Sequence, residues 1–300
     1  MWGIIPAAGC GSRIQPLAFS KELLPVGSRV DGGVEHPRAV SEYLIERMIE
    51  GGANKLCFVI SPAKFDILSY YASGLSGVDA AYVVQAKPGG FCDAIFRAIP
   101  LIGQEEEVVV GLPDTIWFPV HGIRELPREM FSFLLFPVAS PELFDAVVTD
   151  ELGQVTEIQV KNRNARTHWI WGAFKMPGHV FHELYGLWRR PERGDEYFGT
   201  LVNAYLAEGG RAMGVRAGKA YVDVGTLHGF REATRLLNEW SSYEARNLAD
   251  QQQADQQQSE SGRRGEPGAV AGQWERGQMA GRDVEKHEEA EQHERAINLS

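Results

Sequence analysis

The chain has 300 residues, of which 44% are hydrophobic and 10% aromatic, which is enough apolar material for one large α/β core or two modest ones. Its formal net charge of −10 argues against nucleic acid or an anionic membrane surface as the main partner, although local basic residues can still bind phosphates. Its three cysteines, Cys10, Cys57 and Cys92, are widely separated and leave one thiol unpaired under any disulfide scheme, which favours a reducing compartment.

The first half of the chain alternates strand-like and helix-like patterns. Four short apolar runs have the pattern of buried strands: 2–6, 56–60, 80–84 and 108–112. Apolar residues at helical spacing predict amphipathic helices at 40–49 and 92–102. This order predicts an α/β fold whose parallel sheet has helices on both faces and ligands at the carboxyl ends of its strands. The first run turns polar too soon for a signal peptide or a membrane span, so we expect a cytoplasmic protein.

The second half has more closely spaced strand patterns, which predict antiparallel additions and therefore a mixed sheet. These strand patterns lie at 131–138, 146–149, 155–159, 169–175 and 220–224. Helical patterns lie at 178–188, 197–207 and 227 to about 240.

The composition changes from Ser241 onward, where glutamine, glycine, arginine and glutamate dominate. Such a segment cannot bury enough apolar surface to offset the entropy of ordering it. We therefore expect a folded domain at 1–240 and a disordered tail at 241–300, which would act as a linker or a solubilising extension. A helix that orders on a partner is the alternative.

A glycine-rich segment follows the first strand and has the residues that a triphosphate requires. Residues 7–13 read Ala-Ala-Gly-Cys-Gly-Ser-Arg, and Lys21 follows shortly after. Glycines let backbone N–H groups approach phosphate oxygens closely. Arg13 and Lys21 can neutralise the charge that develops on an α-phosphate and a departing pyrophosphate. A dinucleotide-binding turn is the alternative, but Ile14 stands where that turn needs glycine or alanine.

Two aspartates each lie at the end of a predicted strand. Asp114 follows Leu112-Pro113, and Asp223 precedes Val224-Gly225-Thr226. Carboxylates at the carboxyl edge of such a sheet are suitable ligands for Mg²⁺. The structural alternatives are a turn aspartate after Pro113 and a helix N-cap at Asp223, a role that Thr226 can take instead.

Gln85 follows a predicted strand and precedes a glycine-rich helix start. Its amide offers a donor and an acceptor to the edge of a pyrimidine, and Gly90 lets a base lie flat against the backbone. The alternatives are an exposed turn glutamine at Gln85 and, for Asp93, an ordinary acid in the first turn of a helix.

Residues 9–17 match G-x-G-[ST]-R-x-x-P-L and residues 21–26 match K-x-L-L-P-V, which resembles the signature of the sugar nucleotidyltransferases. The segments that contain Asp114 and Asp223 resemble that family's two metal motifs. The resemblance implies a three-layer Rossmann-like nucleotidyltransferase fold with Mg²⁺ held by these two aspartates. It assigns catalysis to Arg13, Lys21, Asp114 and Asp223. It assigns nucleotide binding to Ala8, Gly9, Gly11, Ser12, Arg13, Gln85 and Gly90.

The acceptor half departs from the family pattern. The segments at 144–147, 159–162 and 171–173 correspond to the family's Y-G-V-V, V-E-K-P and G-x-Y strings. Asp145 stands in place of a glycine and Val160 in place of a glutamate, so the identity of the sugar is open. The resemblance assigns sugar-phosphate binding to Lys161, Gly172 and Glu196. A surface lysine and a helix-start carboxylate are the structural alternatives.

The sequence therefore predicts a Mg²⁺-dependent nucleotidyltransferase that joins dTTP or UTP to a sugar 1-phosphate and releases pyrophosphate. Its partners would be these two small molecules, with no nucleic acid and no membrane, and a homo-oligomer is one option. The alternatives are a cytidylyltransferase that acts on a non-sugar phosphate and a non-catalytic nucleotide sensor.

Overall fold

The computed structural model describes residues 1–72, 74–75 and 77–240, and the predicted tail at 241–300 lies outside the described residues. The strands are β1 Trp2–Pro6, β2 Pro25–Asp31, β3 Val34–Ala39, β4 Lys55–Ile60, β5 Asp79–Val84, β6 Glu107–Gly111, β7 Thr115–Phe118, β8 Ser132–Pro137, β9 Asp145–Thr149, β10 Val155–Val160, β11 Trp169–Pro177, β12 Met213–Val215 and β13 Ala220–Asp223. The helices are α1 Val40–Glu50, α2 Phe65–Tyr70, α3 Gly90–Phe96, α4 Gly178–Trp188, α5 Phe198–Ala207 and a helical segment at 227–240 that we call α6. The boundary between a domain at 1–240 and a tail stays a prediction.

The main sheet is mixed, as predicted. Within the described residues it has nine strands in the order β10-β9-β11-β6-β1-β4-β5, and β8 pairs with both β11 and β12. The segment β6-β1-β4-β5 is parallel. Strand β11 runs antiparallel to both β6 and β8. The nearly continuous apolar sequences of β1, β4 and β6 suit their central places, because a parallel strand is covered on both faces.

Apolar side chains pack on both faces of this sheet. Ile4 and Val108 belong to a core shared with α3, α4 and α5, whereas Ile5 and Val109 belong to a second core shared with α1 and α2. Successive residues of a strand point to opposite faces, so each strand contributes to both cores. The predicted three-layer α/β arrangement is therefore confirmed.

The carboxyl ends of the parallel strands meet at one edge of the sheet. The loops after β1, β5 and β6 bring Gly9, Gln85 and Asp114 to this edge. Strands β7 and β13 form a separate antiparallel pair in which Asp223 lies opposite Thr115. Because Thr115 follows Asp114 directly, this pairing brings the two predicted aspartates together.

Some elements differ from the sequence expectation. The predicted helix at 92–102 ends at Phe96, and a 3₁₀ turn at Ile99–Leu101 contains Pro100, which cannot supply the N–H that a continuing helix needs. The β2-β3 hairpin was not predicted, because most of its residues are exposed and show no strand-like apolar pattern. In the described ranges, no helix is both long and apolar enough to cross a membrane.

Candidate active site at the carboxyl edge of the sheet

The glycine-rich loop packs directly against Lys21. Gly11 has a φ of +65°, and a Cβ there would lie 2.7 Å from the Lys21 Cδ atom. Only glycine combines this backbone conformation with so close an approach. Lys21 itself begins a 3₁₀ turn, Lys21–Leu23, and the preceding Ser20 donates both its backbone N–H and its hydroxyl to Asp66, each at 2.6 Å. The loop and the lysine are therefore held as one unit.

Lys64 is a buried residue that the sequence reasoning missed. Its Nζ donates to the Ala7 carbonyl at 2.7 Å and to both carboxylate oxygens of Glu22 at 2.7 Å. Burial raises the pKa of Glu22, and the nearby ammonium of Lys64 offsets part of that rise. Lys64 thus ties the end of β1 to the turn that carries Lys21. Its position shortly after β4, at the carboxyl edge, is the one sequence signal that could have identified it.

Each predicted aspartate forms an ion pair with one predicted cation. The Arg13 guanidinium lies 3.0 Å from the Asp223 carboxylate, and the Lys21 ammonium contacts the Asp114 carboxylate. The second pair is the more buried, with side-chain exposures of 14% and 11%, whereas the Arg13 side chain is 61% exposed. Burial alone would lower the pKa of Lys21, but the Asp114 carboxylate, with smaller contributions from Glu22 and Asp223, outweighs burial and the pKa is raised. Lys21 is therefore a cation at neutral pH.

The backbone at Gly225 passes very close to these charges. A Cβ at this position would lie 2.8 Å from Asp223 Oδ1 and 3.1 Å from Asp114 Oδ2. Oxygens of the two carboxylates thus converge on one region, and the Gly225 N–H donates to Asp223 Oδ1 at 2.8 Å. Thr226 caps α6 by accepting the Gly229 N–H at 3.0 Å, so Asp223 is not needed as the helix cap.

Two converging carboxylates suit a magnesium ion. Mg²⁺ is commonly held by one or two carboxylates together with substrate phosphates and water. No group of three or more histidine, cysteine, aspartate or glutamate side chains with metal-site geometry occurs among the described residues. The donor set therefore fits an ion that a phosphate ligand would complete.

Gln85 lies at the same edge but is engaged by the protein. Its side chain is buried, and Nε2 donates to Asp93 Oδ2 at 2.6 Å and to the Gly90 carbonyl at 3.4 Å. A carboxylate only accepts hydrogen bonds, which identifies the amide atom beside Asp93 as nitrogen. The Oε1 atom has no hydrogen-bond partner in the described part of the chain, so it is available as an acceptor.

A cavity of about 440 Å³ opens beside the ion pairs. Its charged side, as we name it, includes Arg13, Lys21, Glu22, Asp114 and Asp223. The other side, which we call the aromatic side, contains Asp145, Lys161 and six aromatic residues: Phe91, Phe144, Trp171, Tyr197, Phe198 and Tyr221.

Lys161 has the features of a functional residue on the aromatic side. Its φ is +42°, which is uncommon for a residue with a side chain. Its ammonium lies 4.6 Å from the centre of the Tyr197 ring and forms no salt bridge with any described residue. The Lys161 N–H donates to the Phe144 carbonyl at 2.9 Å, which fixes the lysine at the end of β10.

Most of the remaining predicted site residues do not line the cavity. Gly9 lines the cavity, but Ala8, Gly11, Ser12, Gln85, Gly90, Gly172 and Glu196 do not. Gly172 forms part of the packing, since a Cβ there would meet Phe136 at 2.5 Å and Tyr221 at 2.9 Å. Glu196 lies against Gly90 and borders a separate pocket with Arg193 and Asp195. Their roles in binding stay predictions.

Comparisons with known proteins agree with this architecture. Residues 2–239 match the model of the nucleotidyl transferase family. The chain is 24% identical over 247 residues to the UTP-glucose-1-phosphate uridylyltransferase AglF of Haloferax volcanii, covering 80% of this chain and 97% of that protein. It is also 24% identical over 177 residues to a glucose-1-phosphate thymidylyltransferase of Streptomyces antibioticus, covering 56% of this chain and 46% of that protein.

A solved structure supports the same relationship. A Bacillus anthracis protein described as a glucose-1-phosphate thymidylyltransferase, crystallised with sucrose, superimposes with a TM-score of 0.67 at 25% identity. The superposition covers 79% of this chain and 95% of that protein.

Proposed function

The chain belongs to the nucleotidyl transferase family, and we propose that it joins dTTP or UTP to a sugar 1-phosphate in a Mg²⁺-dependent reaction. The family membership confirms the resemblance seen in the sequence, and the chain is a nucleotidyltransferase related to sugar-phosphate enzymes. The observation that carries the proposal is the convergence of Arg13, Lys21, Asp114 and Asp223 on one side of a single cavity.

The chemistry is an in-line displacement at phosphorus. An oxygen of the acceptor phosphate forms a bond to the α-phosphorus, and the bond from that phosphorus to the bridging oxygen breaks. Pyrophosphate leaves with the bonding electrons. Because the acceptor oxygen is already anionic near neutral pH, the step needs no general base and no covalent intermediate. Catalysis then rests on positioning and on neutralising charge.

The four charged side chains divide these tasks. Lys21 and Arg13 would interact with the phosphates that gain negative charge as pyrophosphate leaves. Asp114 and Asp223 would hold Mg²⁺, which supplies charge neutralisation at the phosphates when bound. Each carboxylate also restrains one cation. Asp114 contacts the Lys21 ammonium, and the Asp223 carboxylate lies 3.0 Å from the Arg13 guanidinium. The two cations are therefore already positioned before the substrates bind, and the reaction does not have to move them.

The orientation of Gln85 supports uracil or thymine over cytosine. Asp93 holds the amide nitrogen, which leaves Oε1 as an acceptor. The N3 atom of uracil or thymine carries a hydrogen that this oxygen can accept, whereas N3 of cytosine is itself an acceptor. A cytosine would meet an unfavourable pairing where its N3 atom faces this oxygen, so UTP and dTTP are the favoured triphosphates.

Pyrophosphate release with a panel of triphosphates and sugar 1-phosphates tests the proposal. We expect Mg²⁺-dependent release with UTP or dTTP and a slower reaction with CTP. The Arg124→Gln variant is a control that should release pyrophosphate as the unaltered protein does, because Arg124 forms an exposed ion pair with Glu50 outside the cavity. Release at background with every pair, in a folded protein that still binds triphosphate, would favour the non-catalytic sensor instead.

A further inference from the structure

The aromatic side of the cavity is poor in groups that can bind sugar hydroxyls. Six aromatic rings and Leu143 line it, and its polar side-chain groups among the described residues are the charges of Asp145 and Lys161, two tyrosine hydroxyls and the Trp171 indole N–H. A sugar ring carries several hydroxyl groups, and each one that is buried against an aromatic ring without a partner costs free energy. An acceptor whose substituents are all neutral hydroxyls therefore matches this surface less well than one that also carries a cation.

Asp145 is a carboxylate in this apolar setting without a countercharge in contact. It begins β9, and no salt bridge joins it to Lys161 or to any other described residue. The Trp171 Nε1 atom is buried and has no hydrogen-bond partner of normal geometry among the described residues. Burial raises the pKa of Asp145 to about 6, although the Trp171 indole N–H and the charge of Lys161 lower it in part. A carboxylate kept in this position calls for a cationic partner.

Aromatic rings and a carboxylate together form a site for a positively charged amine. A cation near a ring face is attracted by the ring quadrupole, and the attraction grows when water is excluded. The cavity already shows such a contact in the ammonium of Lys161, 4.6 Å from the centre of the Tyr197 ring. Asp145 adds the charge complementarity that neutral rings lack.

The relative positions of Asp145 and Lys161 match a molecule with two opposite charges. Strands β9 and β10 are antiparallel, with Val160 opposite Asp145, so Lys161 lies one residue beyond that pair. The two charges are therefore neighbours across the strands, but they do not form a salt bridge with each other. An anionic phosphate near Lys161 and a cationic amine near Asp145 would satisfy both.

We propose that the acceptor is a phosphate monoester that carries a protonated amine, with its phosphate beside Lys161 and its amine held by Asp145 and the surrounding aromatic rings. The inference rests on the proposed nucleotidyl transfer, and it replaces the uncharged sugar 1-phosphate with an amine-bearing phosphate as the preferred acceptor. The same chemistry is found in amino alcohol phosphates and in amino sugar 1-phosphates.

Matched acceptor pairs that differ in charge test this inference. Phosphoethanolamine is compared with its uncharged isostere propyl phosphate, and glucosamine 1-phosphate is compared with glucose 1-phosphate. We expect the amine to have the higher kcat/KM in at least one pair, by about tenfold or more, since 1.4 kcal/mol corresponds to a factor of ten. The pair that shows the preference identifies the source of the amine.

Variants test whether Asp145 causes the preference for amine acceptors. Asp145→Asn is expected to reduce the ratio of kcat/KM between amine and neutral acceptor by about tenfold. Glu142→Gln removes the same charge from a neighbouring exposed side chain that does not line the cavity, and it is expected to leave the ratio unchanged. Tyr197→Leu removes one ring from a side chain that is already 37% exposed, so it preserves the fold and lowers the ratio to a smaller extent.

The outcomes separate the two proposals. If neutral acceptors react as fast as amines in both pairs and Asp145→Asn leaves the ratio unchanged, the inference is overturned while nucleotidyl transfer stands. If no acceptor in either pair or in the sugar panel releases pyrophosphate, the transfer reaction fails and the inference fails with it.

Discussion

The two sides of the cavity differ in how their charges are balanced. On the charged side, Arg13 pairs with Asp223 and Lys21 pairs with Asp114. On the aromatic side, Asp145 and Lys161 form no salt bridge within the described part of the chain. Charges that pair within the protein keep their positions without a ligand. Charges without an ion pair can instead be balanced by the charges of a bound molecule. The difference favours the proposal that the reaction takes place on the charged side and that the acceptor is selected on the aromatic side.

The largest effect is expected from removing one carboxylate of the charged side. Asp223→Ala removes a proposed Mg²⁺ ligand, so we expect kcat to fall by about 10³-fold or more. The free energy of unfolding should fall by about 1–2 kcal/mol, because the lost ion pair involves an Arg13 side chain that is 61% exposed and the lost hydrogen bond from the Gly225 N–H is only partly buried. Steady-state kinetics and thermal denaturation measure the two quantities. Unchanged turnover would remove Asp223 from the metal site.

Asp114→Ala should differ from Asp223→Ala in stability. It should reduce turnover to a similar extent, but it also leaves the Lys21 ammonium buried without its counterion. Breaking a buried pair in this way costs about 3–5 kcal/mol of unfolding free energy. Equal stability of the two variants would contradict the contrast in burial between the two ion pairs.

A smaller and more selective effect is expected on the aromatic side. Lys161→Met keeps the length of the side chain but removes its charge, so we expect kcat/KM for the acceptor to fall by about tenfold to a hundredfold. The KM for the triphosphate should stay near its original value. Lys219→Met is the control, since Lys219 is exposed and does not line the cavity. A selective loss of triphosphate affinity would assign Lys161 to the other substrate.

Asp145→Asn should stabilise the protein at neutral pH. The folded state raises the pKa of Asp145 from 3.8 to about 6, so the folded protein binds this proton more tightly than the unfolded chain does. The free energy of unfolding therefore falls as pH rises between these two values. Asp145→Asn should raise the free energy of unfolding by about 2 kcal/mol near pH 7.5 and by less than half of that near pH 4.5.

Thermal denaturation of both proteins across this pH range measures the gain in stability. Glu142→Gln, which removes an exposed carboxylate nearby, should show no comparable dependence on pH. A gain from Asp145→Asn that is equal at both pH values would mean that the buried charge is not its cause.

The smallest effect concerns the choice of base. Asp93→Asn replaces a side chain that only accepts hydrogen bonds with one that also donates, so the Gln85 amide is free to turn over. We expect the preference for UTP and dTTP over CTP to fall by about fivefold, close to 1 kcal/mol. Relative kcat/KM values measure it.

Arg97→Met is the matched control for this variant. It removes the Arg97 ion pair with Asp93 but leaves the carboxylate that orients Gln85. Its base preference should therefore match that of the unaltered protein. A change of similar size in both variants would show that the ion pair, and not the amide orientation, controls the preference.

Much of the fold was predictable because its signals are local. The apolar run of β1 and the helical spacing of α4 predicted both elements at their observed bounds, Trp2–Pro6 and Gly178–Trp188. The β2-β3 hairpin escaped prediction because its exposed residues carry no apolar periodicity. Lys64 was missed for a different reason. Its partners, Ala7 and Glu22, are distant in the chain, and no local pattern indicates that they meet.

The sequence by itself determined most strands of the main sheet, most of the helices and most of the chemical groups of the site, since the order of buried and polar residues is set along the chain. Only the tertiary structure decided which charges meet. The β7-β13 pairing brings Asp223 beside Asp114, and the β9-β10 register brings Lys161 beside Asp145. These contacts join residues that are distant in sequence, and strand register is fixed by the packing of whole elements rather than by any local pattern.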